Sequence, residues 1–572
     1  MTGLGLYKDR KSHTSTVFIR RPPNNLYMER PTTHLYTWAP LPSSRHTRLL
    51  QLWPSDSLEQ PIDCDIITTC IDEPCKYRAL SYAWGEIQQD GSHLNATIYC
   101  DDKPMRVTQH LNMALKRIRA STRTWYRKLP IWIDAVSIAQ DDPREKAQQV
   151  RVISEIFGKC RHLTIWLGEL GTQDEDDLCR RVAAKFNQWE DEGIEVELDS
   201  SEQAFLETVL ERSWFQRRWI VQEVLVANTS GLTPFFRLGE YGWNWPFMAY
   251  ITEKMSPSRA RDRFLLLAQR MVNDSFIPGP FATARDSARD VLDASGRPLY
   301  NSIIETVHIF EEAQCYDSRD RLYALLSMGW GPGTFSVDYT ASVEDVYTDF
   351  ASTLLRATSD DFLPAILASA SCRRDERLAV MRKLPSWVPD WQVAASYASR
   401  AHQITVRRSI SQVSRDPTHK FHGEARSVSD STALILHDVS LFSPCSHITS
   451  EPVAQCGFCC LWQSQSTRTT LAEQPCDHST SNEDCEECRL SNPLAAHAIR
   501  ELALLTAGQF ICLLPKSHMA LVVRPAQSQL LGTTESYLLE HCLLVPLQDS
   551  VVAEANYWDA LLALPLCDIA LV

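Results

Sequence analysis

The stretch 212–224 contains side chains that could bind and cleave a nucleotide. If the whole stretch is one helix, Trp219 and Glu223 are four residues apart and lie on the same face. Arg217 and Arg218 precede them. Guanidinium groups bind phosphates, an indole can receive a ring, and a carboxylate can act near the reacting bond. The alternative interpretation is the start of a solvated helix whose charges face water.

Residues 130–136 form a short run that is apolar on both faces, which is typical of a buried parallel strand. Asp134 lies near its carboxyl end, and Gln140 follows. Ligands bind at the carboxyl ends of strands in open α/β sheets, so both residues are candidate site residues. The alternative for Asp134 is a core or loop-anchoring role.

Another strand is predicted over 77–86, with Gly85 at its end, where a glycine suits a sharp turn. Tyr82 and Trp84 lie in the last part of this strand. We expect both to converge with Glu223 in one cleft, because strand ends and the helix must meet there if the site is functional.

The elements that must position these residues alternate between strands and helices, which predicts βα units around a mostly parallel sheet. A helix is predicted over 107–119, with Thr108 as its candidate cap. The buried strands 130–136 and 163–168 are expected to be neighbours. The remaining predicted elements of this region are strands at 47–53, 62–67 and 96–101 and a helix at 146–159.

Composition changes along the chain predict several units. Residues 174–202 are strongly acidic and are interpreted as a solvated helical insertion. The predicted units are a flexible arm at 1–34, an α/β domain at 35–235 with its core motifs at 77–230, a mainly helical region at 236–400, a linker at 401–432, and a small β-rich unit at 433–572 with a cysteine-rich loop at 456–488.

Length, charge and cysteine content limit the class of protein. The 572 residues carry a formal net charge of −14, which argues against a general nucleic-acid binder. The 18 cysteines are too dilute for a disulfide scaffold and favour a reducing compartment. No signal peptide or run of 18 apolar residues is visible. A cytoplasmic protein without a membrane span is expected.

Two Cys-x-x-Cys pairs form a separate candidate site. Cys456 and Cys459 precede Cys485 and Cys488 by a spacing that approximates structural zinc sites. Four thiolates leave no open position on the metal, so this zinc would fasten a loop and do no chemistry. The alternative is a set of inert thiols in a variable Ser/Thr/Asn-rich loop.

Taken together, the motifs resemble the fungal heterokaryon incompatibility (HET) domain family. Their order and spacing both agree with the family pattern. The matching motifs are Tyr-Arg-Ala-Leu-Ser-Tyr-Ala-Trp-Gly at 77–85, Ile-Trp-Ile-Asp-Ala-Val-Ser-Ile-Ala-Gln at 131–140 with Glu145, Lys146 and Gln149 after it, Ile-Trp-Leu-Gly at 165–168, and Arg-Trp-Ile-Val-Gln-Glu at 218–223. Residues 317–326, 337–339 and 384–391 are similar to the usual tail of large HET proteins.

The resemblance implies a role in non-self recognition and regulated cell death. It also implies a fold related to TIR domains, with a flavodoxin-like sheet. Many TIR domains cleave NAD at the nicotinamide–ribose bond with a helix glutamate four residues after a tryptophan, and Trp219 and Glu223 reproduce that spacing. Ser137 and Ala139 depart from the family's usual Cys-Ile-Asn-Gln, so a cysteine nucleophile and an asparagine amide are missing there.

Two functions remain open from the sequence. In the first, the chain is an effector whose domain hydrolyses NAD with Glu223 as the catalytic carboxylate. NAD is then a substrate, and no cofactor is required apart from the possible structural zinc. In the second, the domain is a non-catalytic scaffold that works by self-association or by binding an upstream recognition protein. The glycine-rich loops of hydride and phosphoryl transfer are missing.

Overall fold

The structure is a computed structural model of the chain. It describes residues 34–55, 57–84, 94–120, 129–274, 307, 310–326, 335–358, 366–367, 369–370 and 384–392, and six strands between residues 423 and 571. Residues 1–33 of the flexible arm predicted at 1–34, residues 401–422 of the linker predicted at 401–432, and the cysteine-rich loop at 456–488 lie outside the described residues. The rest of the predicted linker contains the strand Gly423–Val428 and the start of the strand Ser431–Phe442.

A mixed sheet of nine strands organises the region before residue 245. Its order is β5-β4-β2-β1-β6-β3-β7-β8-β9. The strands are β1 (His46–Leu52), β2 (Asp63–Cys70), β3 (Arg78–Tyr82), β4 (Ala96–Cys100), β5 (Lys103–Val107), β6 (Ile131–Trp132), β7 (His162–Gly168), β8 (Phe235–Leu238) and β9 (Tyr241–Asn244).

Four adjacent strands, β6-β3-β7-β8, are parallel and form the centre of this sheet. The prediction of an α/β fold is confirmed. The expectation that 130–136 and 163–168 are neighbours is wrong, because β3 lies between β6 and β7. Apolar runs report that a strand is buried on both faces, but they carry no information on strand order. Strand β6 is also shorter than the predicted run 130–136, because it ends at Trp132.

Helices connect and cover these strands. In the described part of the chain they are α1 (Gln109–Arg119), α2 (Asp134–Ser137), α3 (Pro143–Lys159), α4 (Gln173–Glu192), α5 (Ser200–Leu210), α6 (Trp219–Thr229), α7 (Trp245–Glu253), α8 (Arg259–Asp274), α9 (Asp320–Tyr323) and α10 (Val343–Thr358). Thr108 caps α1 as predicted, through a bond that its hydroxyl accepts from the Leu111 N–H. The acidic stretch 174–202 lies mainly in α4 and the start of α5.

Successive residues of the central strands face two separate apolar cores, as the alternation of a strand requires. Leu80 and Tyr82 of β3 pack in the core that includes α1. Ala79 of the same strand packs in the larger core that includes α3 and α6. Helices therefore cover both faces of the parallel strands, and the carboxyl end of β3 is the place where residues from the two faces come together.

The stretch 212–224 is not one helix. A short 3₁₀ helix covers Ser213–Gln216, Arg217 is extended with φ −72° and ψ 138°, and α6 begins at Trp219. The sheet also continues beyond residue 235, where the sequence places the end of the first domain. Strand β8 pairs in parallel with β7, so the predicted boundary falls inside the sheet.

Six further strands form a second sheet in the order β10-β11-β12-β13-β14-β15. They are β10 (Gly423–Val428), β11 (Ser431–Phe442), β12 (Phe510–Leu514), β13 (Met519–Pro525), β14 (Glu535–Leu544) and β15 (Leu566–Leu571). Strand β15 also pairs with β11. The division of the chain into the predicted units remains a prediction.

None of the described helices is both long and apolar enough to span a membrane.

Candidate functional site

Glu223 lies in the second turn of α6 and points at the sheet. Its carboxylate accepts a hydrogen bond from the Ser81 hydroxyl through one oxygen and from the Arg217 Nη2 atom, at 3.3 Å, through the other. The residue is only 4% exposed. A carboxylate that is removed from water in this way must be held by hydrogen bonds, and here both oxygens are bonded.

Ser81 connects Glu223 to the 3₁₀ helix. Its hydroxyl accepts a hydrogen bond of 2.7 Å from Trp214 Nε1 and donates a hydrogen bond to the Glu223 carboxylate. Ser81 comes one residue before the end of β3 and faces the opposite side of the sheet from Tyr82. The three side chains form a buried chain of bonds that fixes the orientation of the carboxylate.

Arg217 lies at the edge of this group. Its side chain is 19% exposed and forms an ion pair with Glu223. The Nη1 atom is buried and has no hydrogen-bond partner within the described residues. Arg217 has an extended backbone, and its side chain contacts Glu223 in the second turn of the helix that follows, α6.

Asp134 supplies a second carboxylate. It is the first residue of α2 and is separated from the end of β6 by Ile133. It accepts a bond of 2.9 Å from Trp84 Nε1 and one of 2.7 Å from the Ala135 N–H. Gln140 donates through Nε2 to the Asp134 backbone oxygen at 2.9 Å. Asp134, Trp84 and Gln140 are half-buried, so this side of the group is nearer to solvent than Glu223.

Tyr82 approaches the same place from the α1 face. Its ring stacks on His110 with 6.3 Å between ring centroids. Its hydroxyl is buried and has no hydrogen-bond partner in the described part of the chain. Burial raises the pKa of Tyr82, the charges of Asp134 and Glu223 add to this rise, and the charge of Arg217 opposes it.

Burial sets the ionisation of the two carboxyl groups. Desolvation raises the pKa of Glu223, while Arg217 and the Ser81 hydroxyl oppose that rise and Asp134 adds to it. Desolvation also raises the pKa of Asp134, with Arg217 and then Trp84 opposing. Two carboxyl groups whose pKa values are raised by burial and lowered by the charge of one arginine are a feature of catalytic sites, although structural ion pairs produce the same shifts.

Two of the predicted binding residues lie elsewhere. Arg218 is 1% exposed, and its guanidinium donates to the backbone oxygens of Val307, Phe310 and Arg321, so it has a structural role and no free face for a phosphate. Trp219 donates through Nε1 to Asp320 at 3.1 Å. The spacing of four residues to Glu223 is present in α6, but the indole nitrogen is directed to the tail segment.

Sequence reasoning missed the roles of Ser81 and Trp214, which hold Glu223. In the sequence, Ser81 is one residue of the strand predicted over 77–86. The available signal was its alternation with Tyr82: a hydroxyl that faces a helix within an otherwise apolar strand needs a partner. Trp214 offered no comparable signal, because its place beside β3 depends on the 3₁₀ helix.

Comparison with known protein families identifies the same part of the chain. Residues 77–223 match the family described as heterokaryon incompatibility protein (HET). Residues 77–223 form a HET domain. The match extends from the start of β3 to Glu223, so it covers the residues that form the Glu223 group, including Ser81, Asp134 and Arg217.

A relative of the HET domain region is the Neurospora crassa protein named heterokaryon incompatibility protein 6, OR allele. It is 29% identical over 222 residues, which are 32% of this chain and 33% of that protein. The chain therefore matches about a third of the length of this curated relative. No solved structure matches the chain significantly.

The cysteines Cys456, Cys459, Cys485 and Cys488 lie outside the described residues, so the zinc site remains a prediction that metal analysis of the purified protein can test. Across the residues that the structure describes, no group of three or more His, Cys, Asp or Glu side chains is arranged to hold a metal ion.

Proposed function

We propose that this chain is an effector of heterokaryon incompatibility, acting in non-self recognition and regulated cell death, and that its HET domain hydrolyses NAD at the nicotinamide–ribose bond. The HET match and the Neurospora crassa relative support the role in incompatibility. The arrangement of Glu223 and Asp134 supports the chemistry.

The observation that carries the proposal is the position of these carboxylates at the carboxyl ends of the parallel strands. In chain order, the parallel strands β3, β6, β7 and β8 are arranged second-first-third-fourth. This is the order of flavodoxin-like sheets, in which ligands bind beyond the carboxyl ends of the first and third strands, where the connections change direction. Ser81 and Trp84 lie at the carboxyl end of the first strand, and Glu223 bonds to Ser81. The order also supports the predicted TIR-like fold.

The reaction needs a negative charge near the ribose. Water adds to C1′ as the bond to nicotinamide breaks, and the bonding electrons neutralise the pyridinium nitrogen. The products are ADP-ribose, nicotinamide and one proton. Positive charge develops on the ribose in the transition state, and the ionised Glu223 stabilises it. Nicotinamide leaves without a proton, so no general acid is required.

The neighbours of Glu223 have assigned roles in this proposal. Ser81 and Trp214 hold the carboxylate in one orientation. Arg217 favours its ionised form, and its buried Nη1 atom is the donor that a phosphate oxygen would receive once the Arg217 side chain has moved. Asp134 adds negative charge on the solvent side, and Trp84 offers a half-buried ring beside it.

A non-catalytic scaffold is the second candidate, and one observation favours it. Both oxygens of Glu223 are bonded and the residue is almost fully buried, as in a structural ion pair. In this interpretation the Glu223 group only joins α6 to β3, and the chain acts by self-association or by binding an upstream protein.

NAD hydrolysis by the purified full chain separates the two candidates. We expect release of nicotinamide and ADP-ribose, a loss of about 10²–10³-fold in turnover for Glu223→Gln, and an unchanged rate for Glu195→Gln, whose side chain is 77% exposed. Expression in cells is the second assay. Cell death that persists undiminished in the Glu223→Gln variant, with cellular NAD unchanged, would assign the effect to the scaffold.

A further inference from the structure

The Glu223 group is closed in this structure. Ser81 and Arg217 occupy both carboxylate oxygens, and little of the residue reaches solvent. A ribose cannot contact Glu223 in this arrangement unless the Arg217 side chain moves away. The question is therefore what keeps Arg217 in place.

The backbone on both sides of Arg217 is fixed by Gln314. The Gln314 N–H donates to the Gln216 oxygen at 2.6 Å, and the Arg218 N–H donates to the Gln314 oxygen at 2.8 Å. Arg217 and Gln314 form a parallel bridge. Gln314 lies about ninety positions beyond the end of the HET match, so a segment outside the HET domain sets the conformation of the residue that closes the site.

Arg218 strengthens this attachment. Its guanidinium donates to the oxygens of Arg321 at 2.7 Å, Phe310 at 2.6 Å and Val307 at 3.2 Å. A buried guanidinium is stable only with its donors satisfied, so its attachment to the tail carbonyls resists separation.

Trp219 provides a third attachment through Asp320. The Asp320 carboxylate accepts from Trp219 Nε1 at 3.1 Å and from the Tyr339 hydroxyl at 2.6 Å. Lys146 of α3 lies 4.1 Å from the centre of the Tyr339 ring. Residues 217, 218 and 219 thus all contact residues between positions 307 and 321, and they lie four to six positions before Glu223.

We propose that residues 310–326 are a latch that keeps the Glu223 site shut, and that activation of the effector displaces this latch. We name residues 310–326 the latch segment. The consequence for catalysis rests on the proposed function, whereas the closing of Glu223 can be measured without turnover. Weakening the latch segment shifts the balance toward an open site, because the attachments exist only in the closed state.

Two variants weaken the attachment without changing the HET domain. Tyr339→Phe keeps the ring and removes the hydroxyl that satisfies Asp320. Asp320→Ala removes the acceptor of both Trp219 and Tyr339. Tyr316→Ala is the matched control, because Tyr316 belongs to the latch segment but is 95% exposed. Thermal melts verify that each variant is folded.

Access to Glu223 is measured by labelling carboxyl groups with a carbodiimide and an amine, followed by mass spectrometry of the peptides. Glu195 is the internal reference because it is exposed. We expect labelling of Glu223 to accelerate by about tenfold in Tyr339→Phe, since one hydrogen bond to a buried charged group is lost. Asp320→Ala should exceed this, and Tyr316→Ala should match the wild type. NAD turnover should rise in the same order.

The outcomes separate the latch from the chemistry. Faster labelling with no turnover in any variant supports the latch and refutes NAD hydrolysis. Unchanged labelling of Glu223 in both folded variants refutes the latch, whatever the turnover. Faster labelling with falling turnover also refutes it, because the tail would then be holding an active arrangement together. If Asp320→Ala does not fold, Tyr339→Phe decides alone.

Discussion

The Ser81 hydroxyl donates a hydrogen bond to the Glu223 carboxylate, and the two residues are 142 positions apart in the sequence. The bond joins the end of the central strand β3 to α6, and the Trp214 indole donates to the same Ser81 oxygen. The orientation of the proposed catalytic carboxylate, Glu223, therefore depends on a buried serine whose hydroxyl serves as one donor and one acceptor.

Replacing Ser81 by Ala should destabilise the chain by about 1–3 kcal/mol, because Trp214 Nε1 loses its acceptor and Glu223 loses a donor in a buried environment. Urea denaturation at neutral pH measures this. Ser213→Ala, at an exposed serine of the neighbouring 3₁₀ helix, is the control and should stay within about 0.5 kcal/mol of the wild type. Equal effects in both variants would contradict a special role for Ser81.

Glu223→Gln should make the chain more stable at pH 7.5. Burial raises the pKa of Glu223 in the folded state, so its stabilising contribution is complete below the unfolded pKa and is lost as pH rises through the raised value. At pH 7.5 the wild type holds an ionised, desolvated carboxylate that the variant lacks. Urea midpoints at pH 7.5 and near pH 4 test this. The difference should shrink at the lower pH, and a less stable variant at pH 7.5 would mean that the Arg217 ion pair outweighs desolvation.

The Asp320 carboxyl should make stability fall as pH rises through about 6. Burial raises the pKa of Asp320 to about 6, against the opposing effects of Tyr339, Lys146 and Trp219. The difference in unfolding free energy between wild type and Asp320→Asn should change with pH between 4.5 and 7, by at most about 1.4 kcal/mol per pH unit.

Asp338→Asn is the control for that series. Hydrogen bonds from Thr340 lower the pKa of Asp338, so its contribution is present above the unfolded pKa and is lost only in more acidic solution. Its difference from the wild type should be constant between pH 4.5 and 7. A constant difference for Asp320→Asn as well would contradict the raised pKa.

Arg48→Met should cost about 3–5 kcal/mol of stability, because it leaves Glu145 buried and unpaired. The guanidinium forms two bonds to this carboxylate, at 2.7 and 2.9 Å, and Arg48 is 1% exposed. Thermal and urea denaturation measure the loss. Adding Glu145→Leu should restore part of it, since no charge is then left buried; a double variant as unstable as Arg48→Met would contradict this explanation.

Much of the fold follows from local patterns in the sequence. Thr108 and the apolar face after it predict α1, and the apolar runs predict β6 and β7. The order of those strands does not follow, because the position of β3 between them results from two crossovers that a single run of residues cannot encode.

The candidate site was predictable in its carboxylates and less so in its arginines. Arg217 and Arg218 are adjacent and of one type, yet the first reaches Glu223 and the second binds tail carbonyls. An arginine is expected at the surface, and the buried position of Arg218 is stabilised by backbone oxygens about ninety to one hundred positions away in the sequence. Helical spacing could not predict where the two arginine side chains lie, because α6 begins only at Trp219, after both of them.

The three carbonyl oxygens that receive Arg218 have a consequence for the modularity of the HET domain. Residues 77–223 carry the family motifs, but grafting them alone onto another protein would remove these three carbonyl acceptors from a buried guanidinium and would remove the donor to the Gln216 carbonyl. Exchange of HET domains between chains, by recombination or by design, therefore has to move the tail together with the domain. The natural boundary for such an exchange lies after residue 326 at the earliest, well beyond the last family motif.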